Sequence, residues 1–172
     1  LYFLPHYLYL FNMEILINCS IVLITFILTE FSAWANHKYI MHGFMWYFHA
    51  DHHNKDHKNW FERNDLFFII YAVPSWLLIM FGMMNQNAWY TWVGFGILLY
   101  GLAYFVVHDL VIHQRFKVLT KTKNVYILAL RRAHKMHHKN TGKEGGESFG
   151  MLIIKKKYIQ DALKKSKTQY AT

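Results

Sequence analysis

Three long stretches of the chain carry no charged side chain. They run from Ile15 to Thr29, from Leu66 to Met84 and from Ala88 to Val107, and the first stays largely apolar as far as Trp34. About 20 apolar residues are enough for a helix to cross the hydrocarbon core of a bilayer. The sequence therefore predicts an all-α integral membrane protein with three to four transmembrane helices. Residues 85–87 are predicted to form a tight turn between the second and third spans.

The composition agrees with a membrane protein. Of 172 residues, 54% are hydrophobic and only 17% are charged, which is too apolar for an ordinary soluble domain of this length. The sequence predicts a single domain over residues 13–158, preceded by an N-terminal extension over 1–12, with Met13 as the natural start, and followed by a basic tail over 159–172. The one cysteine, Cys19, excludes an internal disulfide and a thiolate metal site.

Positive charge is concentrated in the second half. After His113 the chain has 15 Lys/Arg and 3 Asp/Glu, against 4 and 7 up to that residue. The positive-inside rule then places the tail, together with loop 35–65, on the cytoplasmic side of the inner membrane. With such an apolar chain, anionic headgroups or an acidic protein are the expected partners, and nucleic acid is not.

Two further features concern packing. Gly94, Gly96 and Gly101 in the third span are expected to permit close helix approach. Residues 124–140 alternate apolar and basic residues at helical spacing. This helix either lies in the membrane interface, with residues such as Arg131 at the headgroups, or packs as an ordinary amphipathic helix on the cytoplasmic side.

The histidines follow a repeated pattern. Ten of the 12 fall into two H-x2-H-H boxes, each preceded by an H-x4-H pair. Positions i, i+3 and i+4 share one helix face, and neutral imidazole suits iron, zinc, copper or nickel. Ten imidazoles exceed the coordination shell of one ion, so the sequence predicts a cytoplasmic-side helical cap holding two metals. The predicted ligands are His37, His42, His49, His52, His53, His108, His113, His134, His137 and His138.

The H-x4-H pairs do not fit a regular helix. A separation of five residues turns about 140° at about 3.6 residues per turn. His37 and His42, and equally His108 and His113, therefore cannot face one point from an undistorted α-helix. Either the helix ends or distorts there, or each pair embraces the metals from two sides. His6 and His57 lie outside the pattern and are expected to be surface or interface histidines.

Several carboxylates lie close in sequence to these histidines. Metal-bound imidazoles usually donate their second N–H to a carboxylate or carbonyl, which makes Asp51, Asp109, Glu144 and Glu147 candidate acceptors. Asp109 is the strongest catalytic candidate because it adjoins a predicted ligand at the end of an apolar span. Since the nearest substrate reservoir is lipid, a site of this kind with iron would bind dioxygen and attack an unactivated C–H bond.

Blocks of sequence around the histidines resemble those of a known family. They are HKYIMHG over 37–43, NDL over 64–66, YGLAYF over 100–105, HD at 108–109 with HQR at 113–115, AHKMHH over 133–138, and GKEG over 142–145 with SFG at 148–150. Together they resemble the bacterial β-carotene 3-hydroxylases of the fatty acid hydroxylase superfamily, which are non-heme di-iron membrane enzymes. The histidine pattern alone resembles only the superfamily, whereas HKYIMHG, YGLAYF and SFG resemble the carotenoid branch.

The resemblance implies a monooxygenase that hydroxylates ring carbon 3 of β-carotene taken from the lipid phase, giving β-cryptoxanthin and then zeaxanthin, with keto-carotenoids as further substrates. It implies two iron ions, which zinc can replace in purified protein, dioxygen, and electrons from reduced ferredoxin. It also implies that the ten histidines are the ligands. The alternatives are a fatty acid or sterol hydroxylase or desaturase, and a non-catalytic metal-binding or transport protein. Transport requires acidic or basic residues within the spans, and residues 66–83 and 89–106 have no Asp, Glu, Lys, Arg or His.

Overall fold

The computed structural model describes residues 3–54 and 61–170, with side chains from residue 11 to residue 166 inside those ranges. Every regular element there is helical, and these ranges contain no strand. Three helical stretches are long and apolar enough to cross a membrane, which confirms the predicted fold class. They are Phe11–Phe44, Arg63–Met84 and Tyr90–Ile112.

The first span is carried by helix α1, Phe3–Ala35, which continues directly into a π-helical segment, Asn36–Phe44. Apolar side chains project outward along α1: Leu16 is 60% exposed and Leu28 is 62% exposed. A contiguous apolar surface of this size is stable in hydrocarbon rather than in water. The helix is therefore built to contact lipid.

The second and third spans form a helical hairpin. Helix α2, Trp46–Asn54, comes before them and follows the first π-helical segment. A short 3₁₀ helix, Arg63–Phe68, leads into α3, Ile69–Met84, and α4 covers Tyr90–Tyr104. The predicted turn after Met84 is confirmed. Gln86 and Asn87 have φ values of 53° and 58°, in the left-handed region that a tight reversal uses.

Glycines allow close packing within this part of the chain. A Cβ atom on Gly94 would lie 2.9 Å from the Ser75 carbonyl oxygen, and one on Gly96 would lie 2.6 Å from the Cβ of Thr25. Side chains at these two positions would clash, so the expected close approach is confirmed for them. It is wrong for Gly101, because among the described atoms none lies within 4 Å of the corresponding Cβ position.

The chain divides into two compact units. The span unit contains the described residues up to Thr29 together with Phe68–Gly101. The histidine unit begins at Glu30 and Leu102 in its two segments and contains α2, a second π-helical segment, Phe105–Ile112, and two further helices, α5, Val125–His138, and α6, Lys156–Tyr170. All ten predicted ligands belong to the histidine unit.

Helices α5 and α6 pack through small side chains. Ala129 and Ala133 of α5 meet Tyr158 and Ala162 of α6, and all four are at least 96% buried. The segment that the sequence describes only as a basic tail is thus largely a helix with a packed face. The apolar face of α5 is used inside the protein, which favours the amphipathic-helix alternative over the interfacial one.

The basic side chains of α5 also bind protein atoms. Arg131 donates to the carbonyl oxygens of Val111 at 2.8 Å, Leu119 at 3.0 Å and Val118 at 3.2 Å. Because a guanidinium has several donors in a fixed plane, it can hold three carbonyls at once. Arg131 therefore fastens the connection after the second π-helical segment to α5, a role that differs from headgroup contact.

Candidate metal centre

Both H-x4-H pairs lie where the helix widens to a π-helix. The amide of His113 donates to the carbonyl of His108 at 2.8 Å, and the amide of Met45 donates to Ile40 at 3.0 Å. In this i→i+5 pattern, residues five apart lie one turn above each other. The ring centroids are 4.5 Å apart for His108 and His113. The expected distortion of the helix is confirmed, and it turns both members of each pair toward the same side.

The ten imidazoles converge on two adjacent groups. In each group one ring nitrogen per residue lies within 4.8 Å of all the others. The first histidine group is His37, His42, His49, His53 and His137, and the second histidine group is His52, His108, His113 and His134. His138 adjoins the second group, with its Nε2 2.8 Å from Nε2 of His134.

Each histidine box is divided between the two groups. In α2, His49 and His53 enter the first group while His52 enters the second. In α5 the division is reversed, because His137 enters the first group while His134 enters the second. The rings of His53 and His138 stack across the boundary with centroids 4.5 Å apart. The histidines from the two distant halves of the chain therefore converge, as predicted.

Four histidines of the first group are oriented by main-chain carbonyls of a single loop. The Nδ1 atoms of these histidines each donate to a carbonyl oxygen at 2.9 Å. The pairs are His53 with Asn140, His42 with Lys143, His137 with Glu147, and His37 with Phe149. The fifth member, His49, donates to Oδ1 of Asn64 at 2.7 Å. Every Nε2 atom of this group is thus directed away from these oxygens and toward the interior of the group.

Carboxylates take the same position in the second histidine group. Nδ1 of His52 lies 2.5 Å from Oε2 of Glu62, and Nδ1 of His108 lies 3.0 Å from Oδ1 of Asp109. Arg115 lies beside these acids, with its guanidinium 3.7 Å from both Glu62 and Asp109. The two groups therefore differ in the charge of the atoms that orient their imidazoles.

The arrangement fits a metal ion better than it fits hydrogen bonding. His37, His49 and His53 use their Nδ1 protons on oxygen acceptors, so each Nε2 presents a lone pair. Nε2 of His49 nevertheless lies 3.0 Å from that of His37 and 3.1 Å from that of His53. A cation removes this repulsion. Ligand nitrogens at right angles around an ion, each about 2.1 Å away, would be about 3.0 Å apart.

Two further observations agree with cation binding. Nε2 of His42 and Nε2 of His137 are buried and have no hydrogen-bond partner among the described atoms. A buried polar atom without a partner costs free energy, and a metal ion would satisfy both nitrogens.

Burial keeps these imidazoles neutral. It is the largest cause that lowers the pKa of His53 to about 4, of His137 to about 3, and of His49 and His138 to about 2. Neighbouring imidazoles lower these pKa values further, because two adjacent rings cannot readily both be charged. The neutral ring is the form that binds a metal.

Of the four predicted acceptors, one has the expected side-chain contact. Asp109 accepts from Nδ1 of His108 at 3.0 Å, a contact that orients this ring; its predicted catalytic role stays a prediction. The Asp51 carboxylate instead accepts from the backbone N–H of Arg63 at 2.7 Å. Glu147 contributes its main-chain carbonyl, while its carboxylate pairs with Lys155 at 2.9 Å. Glu144 likewise takes part through its main-chain oxygen, which accepts from the side chain of Asn140.

Glu62 and Asn64 were not predicted as acceptors. Their signal is a run of polar residues directly before an apolar span, where buried polar side chains require partners. The loop carbonyls had no such signal, because every residue has a main-chain carbonyl. His57 lies outside the described residues, as does the side chain of His6.

The sequence pattern of the fatty acid hydroxylase family matches residues 22–155, which include all ten histidines of the centre. The chain belongs to the fatty acid hydroxylase family. Membership in this family makes it a hydroxylating oxidoreductase, and together with the two histidine groups it indicates an iron centre.

Several bacterial proteins named beta-carotene hydroxylase are similar to the chain. The protein from Pantoea ananas is 44% identical over 78% of this chain and 76% of its own length. The one from Pseudescherichia vulneris is 39% identical over 82% and 79%, and the one from Paracoccus sp. (strain N81106 / MBIC 01143) is 35% identical over 78% and 83%. No solved structure gives a significant match.

Proposed function

We propose that this chain hydroxylates ring carbon 3 of the β-ionone ends of β-carotene, giving β-cryptoxanthin and then zeaxanthin. The observation that carries the proposal is the convergence of ten imidazoles in a chain that is similar, over most of its length, to proteins named beta-carotene hydroxylase. The apolar spans support it as well, because the substrate is dissolved in lipid.

The proposed ligand assignment follows the two groups. His37, His42, His49, His53 and His137 hold one iron ion, and His52, His108, His113, His134 and His138 hold the other. When bound, the iron pair supplies the activation of dioxygen for attack on an unactivated C–H bond. The protein holds the imidazoles neutral and aimed inward, through acceptors on Nδ1 and through burial.

The overall reaction balances with an external reductant. Each ring consumes one dioxygen, two electrons and two protons, and it yields one alcohol and one water. We propose that the electrons come from a reduced ferredoxin. The basic second half of the chain supports an acidic protein partner of this kind, because complementary charge favours productive encounter. The same Lys/Arg bias supports insertion in the inner membrane with the histidine unit on the cytoplasmic side.

Product analysis tests the proposal. Membranes containing the chain are supplied with β-carotene, iron, oxygen, and ferredoxin with its reductase. We expect zeaxanthin from the wild-type chain and no hydroxylated carotenoid from His137→Ala, because His137 is fully buried in the first histidine group. Lys135→Ala, an exposed position on the same helix, is the matched control and should keep activity. Hydroxylation of a fatty acid or sterol with β-carotene left unchanged would overturn the proposal.

A further inference from the structure

A buried carboxylate lies near the end of the first span and takes no direct part in the histidine groups. Glu30 is only 5% exposed. Its Oε1 atom accepts from three successive backbone N–H groups, those of Met151 at 3.2 Å, Leu152 at 2.8 Å and Ile153 at 3.2 Å. Burying a carboxylate in an apolar helix is costly unless charge-assisted hydrogen bonds compensate. Three donors on one oxygen do so, and they fasten this stretch of backbone to α1.

The fastened stretch ends the loop that orients the first histidine group. Loop 140–153 contains the four carbonyls that accept from Nδ1 of His37, His42, His53 and His137. The acceptors found for the second histidine group, Glu62 and Asp109, are side chains outside this loop. The path of the loop therefore determines ring orientation for four histidines of the first group, whereas His52 and His108 of the second group are oriented by carboxylates outside the loop.

Besides Glu30 and the histidines, the loop is attached at Glu147 and through the carbonyl of Leu152, which accepts from the hydroxyl of Tyr126. It contains no regular helix or strand in its described residues, and it includes two left-handed residues, Gly145 with φ 79° and Ser148 with φ 62°. Its other ionic anchor, Glu147, pairs with Lys155 and Lys157, which are both more than half exposed, and accepts from the hydroxyl of the buried Tyr158 at 2.5 Å. Exposed ion pairs contribute little because water screens them. The Glu30 carboxylate differs in being buried itself and in holding three successive backbone amides.

The backbone at this anchor is tightly fitted. A Cβ on Gly150 would lie 2.9 Å from the carbonyl oxygen of Ile153 and 3.5 Å from Oε1 of Glu30. Only glycine permits this close turn beneath the carboxylate. The carbonyl of Phe149, which orients His37, immediately precedes it.

We infer that Glu30 is a positioning residue for the first metal site, acting through the loop carbonyls rather than by touching the metal or substrate. The inference rests on the proposed assignment of the two histidine groups to two ions. Its distinctive consequence is selectivity. Loss of the carboxylate loosens the imidazoles of the first group, while the second group keeps its carboxylate acceptors.

Metal titration tests this selectivity without relying on turnover. The purified chain is stripped of metal in detergent and titrated with iron(II) under anaerobic conditions. We expect two equivalents for the wild type. For Glu30→Ala we expect one equivalent of iron(II) to bind with wild-type affinity. The second should bind with an affinity at least about 10-fold lower, since loss of orienting contacts typically costs that much. Glu14→Ala removes an exposed carboxylate from the same helix and should leave both equivalents unchanged.

The outcomes separate the inference from the proposal beneath it. A wild-type chain that binds fewer than two equivalents overturns the two-ion assignment. A wild-type chain that binds two, with both unchanged in Glu30→Ala, overturns the role of Glu30, as does equal weakening of both. If Glu30→Ala does not fold, Glu30→Gln decides instead. Its amide oxygen still accepts hydrogen bonds but lacks the charge, so one equivalent should weaken by less than in Glu30→Ala and the other should not change. If both equivalents of iron(II) bind Glu30→Gln with unchanged affinity, or if both bind equally more weakly, the inference is overturned.

Discussion

The two nitrogens of an imidazole in the histidine groups face different surroundings. For at least seven of the ten histidines, Nδ1 meets a protein oxygen within 3.0 Å. Because those oxygens only accept, the proton resides on Nδ1 and the lone pair of Nε2 is directed inward. The orientation and tautomer of these seven rings are thus set by the protein before a metal binds.

The carboxylate of Asp109 provides a prediction for a single residue. Asp109→Asn removes the negative charge that polarises the ring of His108 while keeping a side chain of the same size. We expect the affinity of the second histidine group for iron(II) to fall about 10-fold to 100-fold, with the first group unaffected. Metal titration of the purified variant measures both equivalents.

Asp161→Asn is the matched control for Asp109→Asn. Asp161 pairs with Arg132 at 3.2 Å on the exposed side of α6, and its substitution should leave metal affinity unchanged. Unchanged affinity in Asp109→Asn would show that the contact with His108 does not orient the ring.

At the scale of elements, the two π-helical segments bring together histidines five residues apart, which a regular α-helix would turn to different sides. Residues five apart diverge by about 140° in an α-helix, and they lie one turn apart in a π-helix. Each widened turn directly follows an apolar helix in the sequence, α1 or α4. A metal site is a reason for such a turn to persist despite its weaker intrinsic geometry.

Helix α5 carries three of the ten histidines, and its start provides a prediction. The side chain of Asn124 accepts from the amides of Tyr126 at 3.0 Å and Ile127 at 3.1 Å, as an N-cap does. Asn124→Ala leaves these amides without this acceptor, so we expect the free energy of unfolding to fall by about 1 kcal/mol. Chemical denaturation in detergent, followed by circular dichroism, measures the change. Asn124→Asp keeps the cap and should be near wild type; an equal loss in both variants would contradict the capping role.

At the scale of the whole molecule, every histidine of the centre lies in one compact unit, although the first five precede the α3–α4 hairpin in sequence and the last five follow α4. A carotene is about as long as the hydrocarbon core is thick, roughly 30 Å. If it lies along the spans, and if the metals lie on the cytoplasmic side as proposed from the Lys/Arg bias, only one of its two rings can reach them at a time.

The proposed topology predicts sequential hydroxylation with release of the mono-alcohol. In a time course with limiting enzyme and excess β-carotene, β-cryptoxanthin should accumulate before zeaxanthin, because the molecule must leave and return with its other ring toward the metals. Chromatography of samples taken over the course measures the two products. Appearance of the diol with no detectable mono-alcohol would contradict release between the two steps.

Features that depend on local pattern were predictable from the sequence. Long uncharged runs are sufficient to predict spanning helices, since hydrocarbon admits little else. The H-x2-H-H boxes predicted shared helix faces, and the H-x4-H pairs predicted a distorted helix, because both follow from residues per turn. The contact between His108 and Asp109 was predictable for the same reason, since the two residues are adjacent in the chain.

Features that depend on distant parts of the chain were decided only by tertiary structure. No spacing rule divides a box so that His52 joins the second group while His49 and His53 join the first. The sequence does not distinguish the carbonyls of loop 140–153, because every residue has a main-chain carbonyl. In the sequence, Glu30 is only a charged residue near the end of a span. From the sequence alone one can predict which side chains converge and which stretches are apolar enough to cross lipid. Packing sets which ring joins which histidine group, because ring orientation depends on acceptors that are up to 112 residues away.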